Sequence, residues 1–209
     1  MRGFVMSFGL ACVLTGCPRP VPQDGGPDPS VDANYDPSVG NLFEGPLVLD
    51  DPRVESLDPT RLPSGASPCL PPHMGRVTHV TDGDTIRVEG TVPEVFNMNV
   101  RMIGVDTPEV GHGGEPSQCF GDDARTFTNQ LYGHLVWLTF DAECTDRFGR
   151  HLAYVHVGPG TGDLWERQLL ARGMGRVLTI SPNDSYEATF EQDQASAQRA
   201  DAGLWGSCF

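Results

Sequence analysis

Eleven of the eighteen prolines lie between residues 18 and 68, and this asymmetry decides where a domain can form. Proline fixes φ and removes a backbone donor, so a stretch this rich in it forms neither a helix nor the interior of a sheet. Asp, Ser and Gly fill the gaps, with too little apolar surface to offset the entropy of ordering. Residues 18–68 are therefore expected to be an extended, disordered tether. Leu42, Phe43, Leu47, Val48 and Leu49 form only a weak apolar patch in it. The fold must come from residues 69–209. Charge narrows its partners: 14 Arg and no Lys face 28 acidic residues, a net charge of −14. In residues 69–209 the balance is 10 Arg against 19 acids, net −9. A chain that holds nucleic acid by charge alone needs a basic surface, so that class is excluded. No apolar run reaches the roughly 20 residues of a membrane-spanning helix.

Arg2, the apolar run from Phe4 to Leu14, and small residues before Cys17 have the layout of a secretory signal over residues 1–16. Leu14-Thr15-Gly16-Cys17 resembles the lipobox of bacterial lipoproteins. That resemblance implies cleavage before Cys17 and lipidation of Cys17; without lipidation the segment is a plain signal peptide. Several acyl chains on one cysteine hold a protein on a bilayer. The expected organisation is a signal (1–16), a lipidated cysteine with its tether (17–68) and a folded domain (69–209). The expected location is exported and lipid-anchored at the cell envelope. Pro18, which is not an aspartate, resembles the signal for the outer membrane in Gram-negative lipoproteins. Four cysteines remain beyond the tether: Cys69, Cys119, Cys144 and Cys208. An even number in an exported chain points to two disulfides, with three pairings open. Their spacing is not that of a zinc site.

Within 69–209 the pattern predicts five strands and three helices, an α+β domain. Arg76–Thr81 and Thr85–Glu89 form a hairpin about Asp82-Gly83-Asp84. Val95–Val105 is the third strand, with Phe96, Met98, Val100 and Met102 on one face and Arg101 on the other. Val136–Phe140 and Leu152–Val157 complete the set. Asp122–Tyr132 reads as the first helix. Asp163 with Glu166, and Asp184 with Glu187, resemble capping boxes opening the second and third. Trp137, Trp165 and Trp205 are expected to pack in or at the edge of the core.

Three polar clusters fall at strand ends and turns: Asp82-Gly83-Asp84-Thr85, Arg101 with Asp106-Thr107-Pro108-Glu109, and Asp146-Arg147-Phe148-Gly149-Arg150. Carboxylates from two turns converge on one cation if the strands are neighbours. Asp84, Asp106 and a carbonyl near Thr107 are the hard oxygen donors that calcium prefers. Arginine forks suit phosphate oxygens and cannot lose their charge. Two arginines, two or three carboxylates and a cation form a kit for phosphodiester hydrolysis. Asp82 and Asp146 fit either partners of that kit or simple turn formers.

Gly83-Asp84-Thr85, the run Val100–Glu109 and Asp146–Arg150, in that order, resemble the staphylococcal nuclease (thermonuclease) family. Cys119-Phe120-Gly121, Leu152–Val155, Leu170–Gly173 and Gly203-Leu204-Trp205 extend the likeness over about residues 74–206. The resemblance implies a five-stranded OB-type β-barrel with three helices. It also implies a monomeric, Ca2+-dependent endonuclease that cleaves DNA and/or RNA and leaves 3′-phosphates. By position, Asp84 and Asp106 resemble the calcium carboxylates and Thr107 the carbonyl ligand. Glu109 resembles the general base, and Arg101 and Arg150 the phosphate clamps. The family's strand order implies the pairs Cys69–Cys144 and Cys119–Cys208. Two departures stand out. Val177–Pro182 lacks the archetype's tyrosines, and Phe148 replaces another. The acidic surface implies a weaker grip on long polymers, and stronger sensitivity to salt and calcium, than in the basic archetype. The rival reading is a non-catalytic module of the same fold, which keeps the barrel without the carboxylates and arginines.

Overall fold

The computed structural model describes residues 49–90 and 97–209. The signal, Cys17, the tether up to residue 48 and the start of the third expected strand, Phe96 included, lie outside the described residues. Seven strands follow in chain order: β1 (His73–Val80), β2 (Thr85–Gly90), β3 (Met98–Met102), β4 (Gly104–Asp106), β5 (Leu135–Thr139), β6 (His151–His156) and β7 (Arg176–Leu178). The described helices are α1 (Asp51–Glu55), α2 (Gly121–Thr128), α3 (Trp165–Ala171), α4 (Glu187–Arg199) and α5 (Leu204–Ser207).

The alternating apolar positions close a barrel in the order β1-β2-β3-β6-β5. Val77, Val88, Val100, Val136, Leu138, Ala153 and Val155 have no exposed surface and meet in one core. The barrel pairs are antiparallel except β3 with β6, which run parallel. Trp165, Leu169 and Leu170 of α3 and Phe190 of α4 pack on the same core. This is the expected α+β class with a five-stranded barrel of OB type.

Four local expectations need correction. The third strand does not run to Val105. It ends at Met102 and turns at Ile103 into Gly104, whose φ of +82° favours glycine and where a Cβ would strike the Phe190 ring. The chain then pairs as β4 with β7, a three-residue ladder outside the barrel. The tether does not extend to residue 68. Asp50 caps α1, Asp51 Oδ1 accepts the Leu135 N–H at 3.0 Å, and Val54 O accepts the Trp137 indole N–H at 2.8 Å. Val54 is buried, so docking on β5 orders a stretch whose composition alone does not. Asp163 and Glu166 form no capping box with each other. Asp163 Oδ2 accepts the Gly160 N–H at 3.0 Å, while Glu166 turns into the core and accepts the Val155 N–H at 3.0 Å. Asp184 and Glu187 form no capping box either: α4 opens at Glu187 with Tyr186 at its N-cap and no side-chain cap bond.

Both bridges are present in the expected pairs. Cys69–Cys144 has a Cα separation of 5.7 Å and Cys119–Cys208 one of 6.0 Å. Antiparallel pairing of β1 with β5 brings Cys69, ahead of one, to Cys144, beyond the other. Among the described residues no helix is long and apolar enough to cross a membrane.

Candidate active site

Register places the polar clusters side by side. Thr85 at the start of β2 lies opposite Arg101 of β3, and Arg101 lies opposite Leu152 near the start of β6. Asp84, Arg101 and Arg150 therefore come from three adjacent strands at one end of the barrel. The turn at Gly104 then folds the chain back and delivers Asp106 to the same guanidinium.

Arg101 is the centre of the group. Its Nη2 lies 3.1 Å from Asp84 Oδ2 and 2.9 Å from Asp106 Oδ1. Its Nη1 donates to the carbonyls of Met102 at 2.9 Å and Val105 at 2.6 Å, so the fork is held from both ends. Asp84 is only 4% exposed, yet both its oxygens have donors: Thr107 N at 2.8 Å and Thr85 Oγ1 at 3.0 Å. Burial pushes the Asp84 carboxyl up to about 6 although Arg101 pulls it down, and nearby Asp82 adds to the rise. The half-exposed Asp106 is also raised, by burial first and then by Asp84, against the pull of Arg101. Two carboxylates thus share one guanidinium, and the site is short of positive charge.

Arg150 arrives on a tight turn. Asp146 Oδ1 accepts the backbone N–H groups of Phe148 and Arg150, both at 2.9 Å, and Asp146 Oδ2 accepts Arg150 Nε at 2.7 Å. Burial alone would raise the Asp146 carboxyl, but these bonds from Arg150 and Phe148 hold it below its usual range. Asp146 is the positioning residue that the sequence left open; its signal is an acid four residues before Arg150 in a turn closed by Gly149 at φ +78°. Asp82 Oδ1 accepts the Asp84 N–H at 3.3 Å and shapes the first turn.

Arg101 and Arg150 open on one cleft of about 540 Å³, lined also by Arg147, Phe148, Leu178 and Ile180. The Arg147 and Arg150 guanidiniums lie 4.7 and 5.6 Å from the Phe148 ring centroid. Glu109 stands apart. It is exposed on the loop after β4, and Gln118 clamps its backbone, accepting the Glu109 N–H at 3.1 Å and donating to its carbonyl at 2.9 Å. Among the described residues Glu109 makes no hydrogen bond or ion pair with the Asp84–Arg101–Asp106 group. Gln118 was not foreseen, because a backbone clamp nine residues away leaves no spacing signal.

Among the described residues no three His, Cys, Asp or Glu side chains gather as a metal cluster. The donors that do converge, Asp84 and Asp106 with the Thr107 backbone beside them, are hard oxygens with excess negative charge. That set fits calcium, with water and substrate completing the shell.

A model of the family described as staphylococcal nuclease homologue matches residues 99–207, just over half of the chain. The chain belongs to this family. It is 37% identical over 133 residues to a thermonuclease of Staphylococcus hyicus, which covers 63% of this chain and 75% of the relative. It is also 37% identical over 130 residues to a thermonuclease of Staphylococcus intermedius, covering 62% and 74%. The nuclease-family match includes Arg101, Asp106, Thr107, Glu109 and Arg150, while Asp84 precedes it.

Proposed function

We propose that the protein is a calcium-dependent nuclease of the bacterial envelope, exported and anchored by lipid on Cys17. Membership of the family supports a phosphodiester-hydrolysing endonuclease. The observation that carries the residue roles is the pair of guanidiniums, Arg101 and Arg150, opening on one cleft with Asp84 and Asp106 at Arg101. In this reading Arg101 and Arg150 grip the scissile phosphate and offset charge that grows in the transition state. Asp84, Asp106 and the Thr107 carbonyl would hold Ca2+, which would supply Lewis-acid stabilisation of the phosphoryl oxygens. Glu109 orients a water and takes its proton. The water oxygen bonds to phosphorus and the bond to the 5′-oxygen breaks. Arg150 steadies that leaving oxygen, which takes a proton from solvent water while Glu109 gives its own up to solvent, and the ends formed are a 3′-phosphate and a 5′-hydroxyl. Substrates are DNA and/or RNA, and the working unit is a monomer.

The test is cleavage of DNA and of RNA by the full-length protein, with calcium and with chelator. Activity is expected to vanish with chelator and to fall at least a hundredfold in Arg150→Ala and Glu109→Gln, the scale for a removed transition-state partner. Cleavage that none of these alters would reject the mechanism. Binding without turnover would favour the non-catalytic module.

A further inference from the structure

A second pocket, which among the described residues shares no lining residue with the large cleft, borders Asp106. It measures about 250 Å³ and is lined by Asp106, Thr107, Gln118, Arg176 and Phe209, with the Cys119–Cys208 bridge in its wall. Its chemistry suits a nucleotide. Arg176 of β7 lies directly opposite Asp106 of β4 in the two-stranded ladder. The Arg176 guanidinium stands 5.0 Å from the Phe209 ring and 5.7 Å from Trp205, and those two rings stack at 5.6 Å. Phe209 is 75% exposed, so the aromatic residue stays accessible from solvent despite its contacts with Trp205 and Arg176. The bridge joins Cys208, the neighbour of Phe209, to Cys119, one residue beyond Gln118, which clamps Glu109. An aromatic ring held beside a cation is the platform on which single-stranded nucleic acid stacks a base.

We propose that Phe209 and Arg176 form a second nucleotide subsite, which takes the base and flanking phosphate on the opposite side of the scissile bond from the nucleotide in the large cleft. Its position, sharing Asp106 and Thr107 with the candidate site, sets its role: it makes a polynucleotide span the centre. This rests on the nuclease reading for the direction of the strand, but the contact itself is independent of turnover. In an acidic protein, where diffuse charge gives little affinity, such local stacking is the available source of grip.

The experiment is fluorescence titration of a labelled single-stranded DNA decamer with the full-length protein in chelator, alongside cleavage in calcium. Phe209→Ala is expected to weaken decamer binding roughly fivefold or more, the effect of losing one stacked base. Phe209→Trp is expected to restore it. In calcium, Phe209→Ala raises KM for the decamer but not for a nitrophenyl nucleotide ester, which carries a base on one side of the phosphate only. Decamer binding that is the same in the parent and in Phe209→Ala overturns the subsite. Phe209-dependent binding in a protein that cleaves nothing upholds the subsite and overturns the nuclease reading alone.

Discussion

Glu166 offers a sharp test of the buried electrostatics. Its side chain has no exposed surface, Oε1 accepts the Val155 N–H at 3.0 Å, and Oε2 is buried without a partner among the described residues. Burial pushes its carboxyl from 4.5 up to about 8, the Val155 bond opposing only in part. The folded state therefore holds a proton that the unfolded chain releases between those values. Stability falls as pH rises through that window and levels off above about 8. One pKa unit is worth about 1.4 kcal/mol, so between pH 6.5 and 8 the loss from this group is about 2 kcal/mol. His156 does not cancel it there. Burial drives that imidazole from 6.5 down to about 3, so its penalty appears only as pH drops below 6.5. Glu166→Gln keeps an acceptor for Val155 N–H and removes the titration. It is expected to gain about 2 kcal/mol on the parent between pH 6.5 and 8 and to lose the slope across that window. Urea unfolding at a series of pH values reads both. A variant with the parent's slope would show that Glu166 is not a buried neutral acid, and the reasoning would fail.

Other outcomes follow from the same structure. Arg101→Ala strips a buried ion pair from Asp84 and is expected to cost about 3 kcal/mol in denaturant unfolding, besides abolishing measurable cleavage. Paired Cys119→Ser and Cys208→Ser changes open an 89-residue separation and are expected to lose about 2–4 kcal/mol, checked by thermal unfolding with and without reductant. Cys17→Ser is expected to shift the protein from the membrane fraction to the soluble one in a bacterial host, read by fractionation and immunoblot. KM for long DNA is expected to exceed that of a basic thermonuclease at matched salt, read from initial rates.

Where side chains repeat with a period, the sequence was readable. Val77, Val88 and Val100 alternate with polar neighbours, and 136–140 and 152–157 are runs of β-forming residues, so all five barrel strands are visible in the sequence. Arg101 was legible for the same reason, as the polar residue opposite Met98, Val100 and Met102. The family likeness supplied the rest of the candidate site and the disulfide pairs. What escaped depends on distant partners. Helix α1 sits in a proline-rich stretch and is held by Leu135 and Trp137, more than 80 residues away. β4 and β7 are three residues each, too short to show alternation. Glu166 was misread because an acid three residues after Asp163 looks like a cap, whereas the fold turns it inward to Val155. Glu109 was legible as a residue type, but its clamp by Gln118 is a product of loop geometry.

The central claim is that Asp84 and Asp106 hold calcium beside two arginines that grip a phosphodiester. Its most direct test is cleavage of one end-labelled oligonucleotide across a calcium titration, in the parent and in Asp84→Asn, with the product ends determined. Rates are expected to rise and saturate with calcium in the parent, to leave 3′-phosphate ends, and to show a large rightward shift of the titration in Asp84→Asn. Calcium-independent cleavage, or the same titration in both proteins, would contradict it.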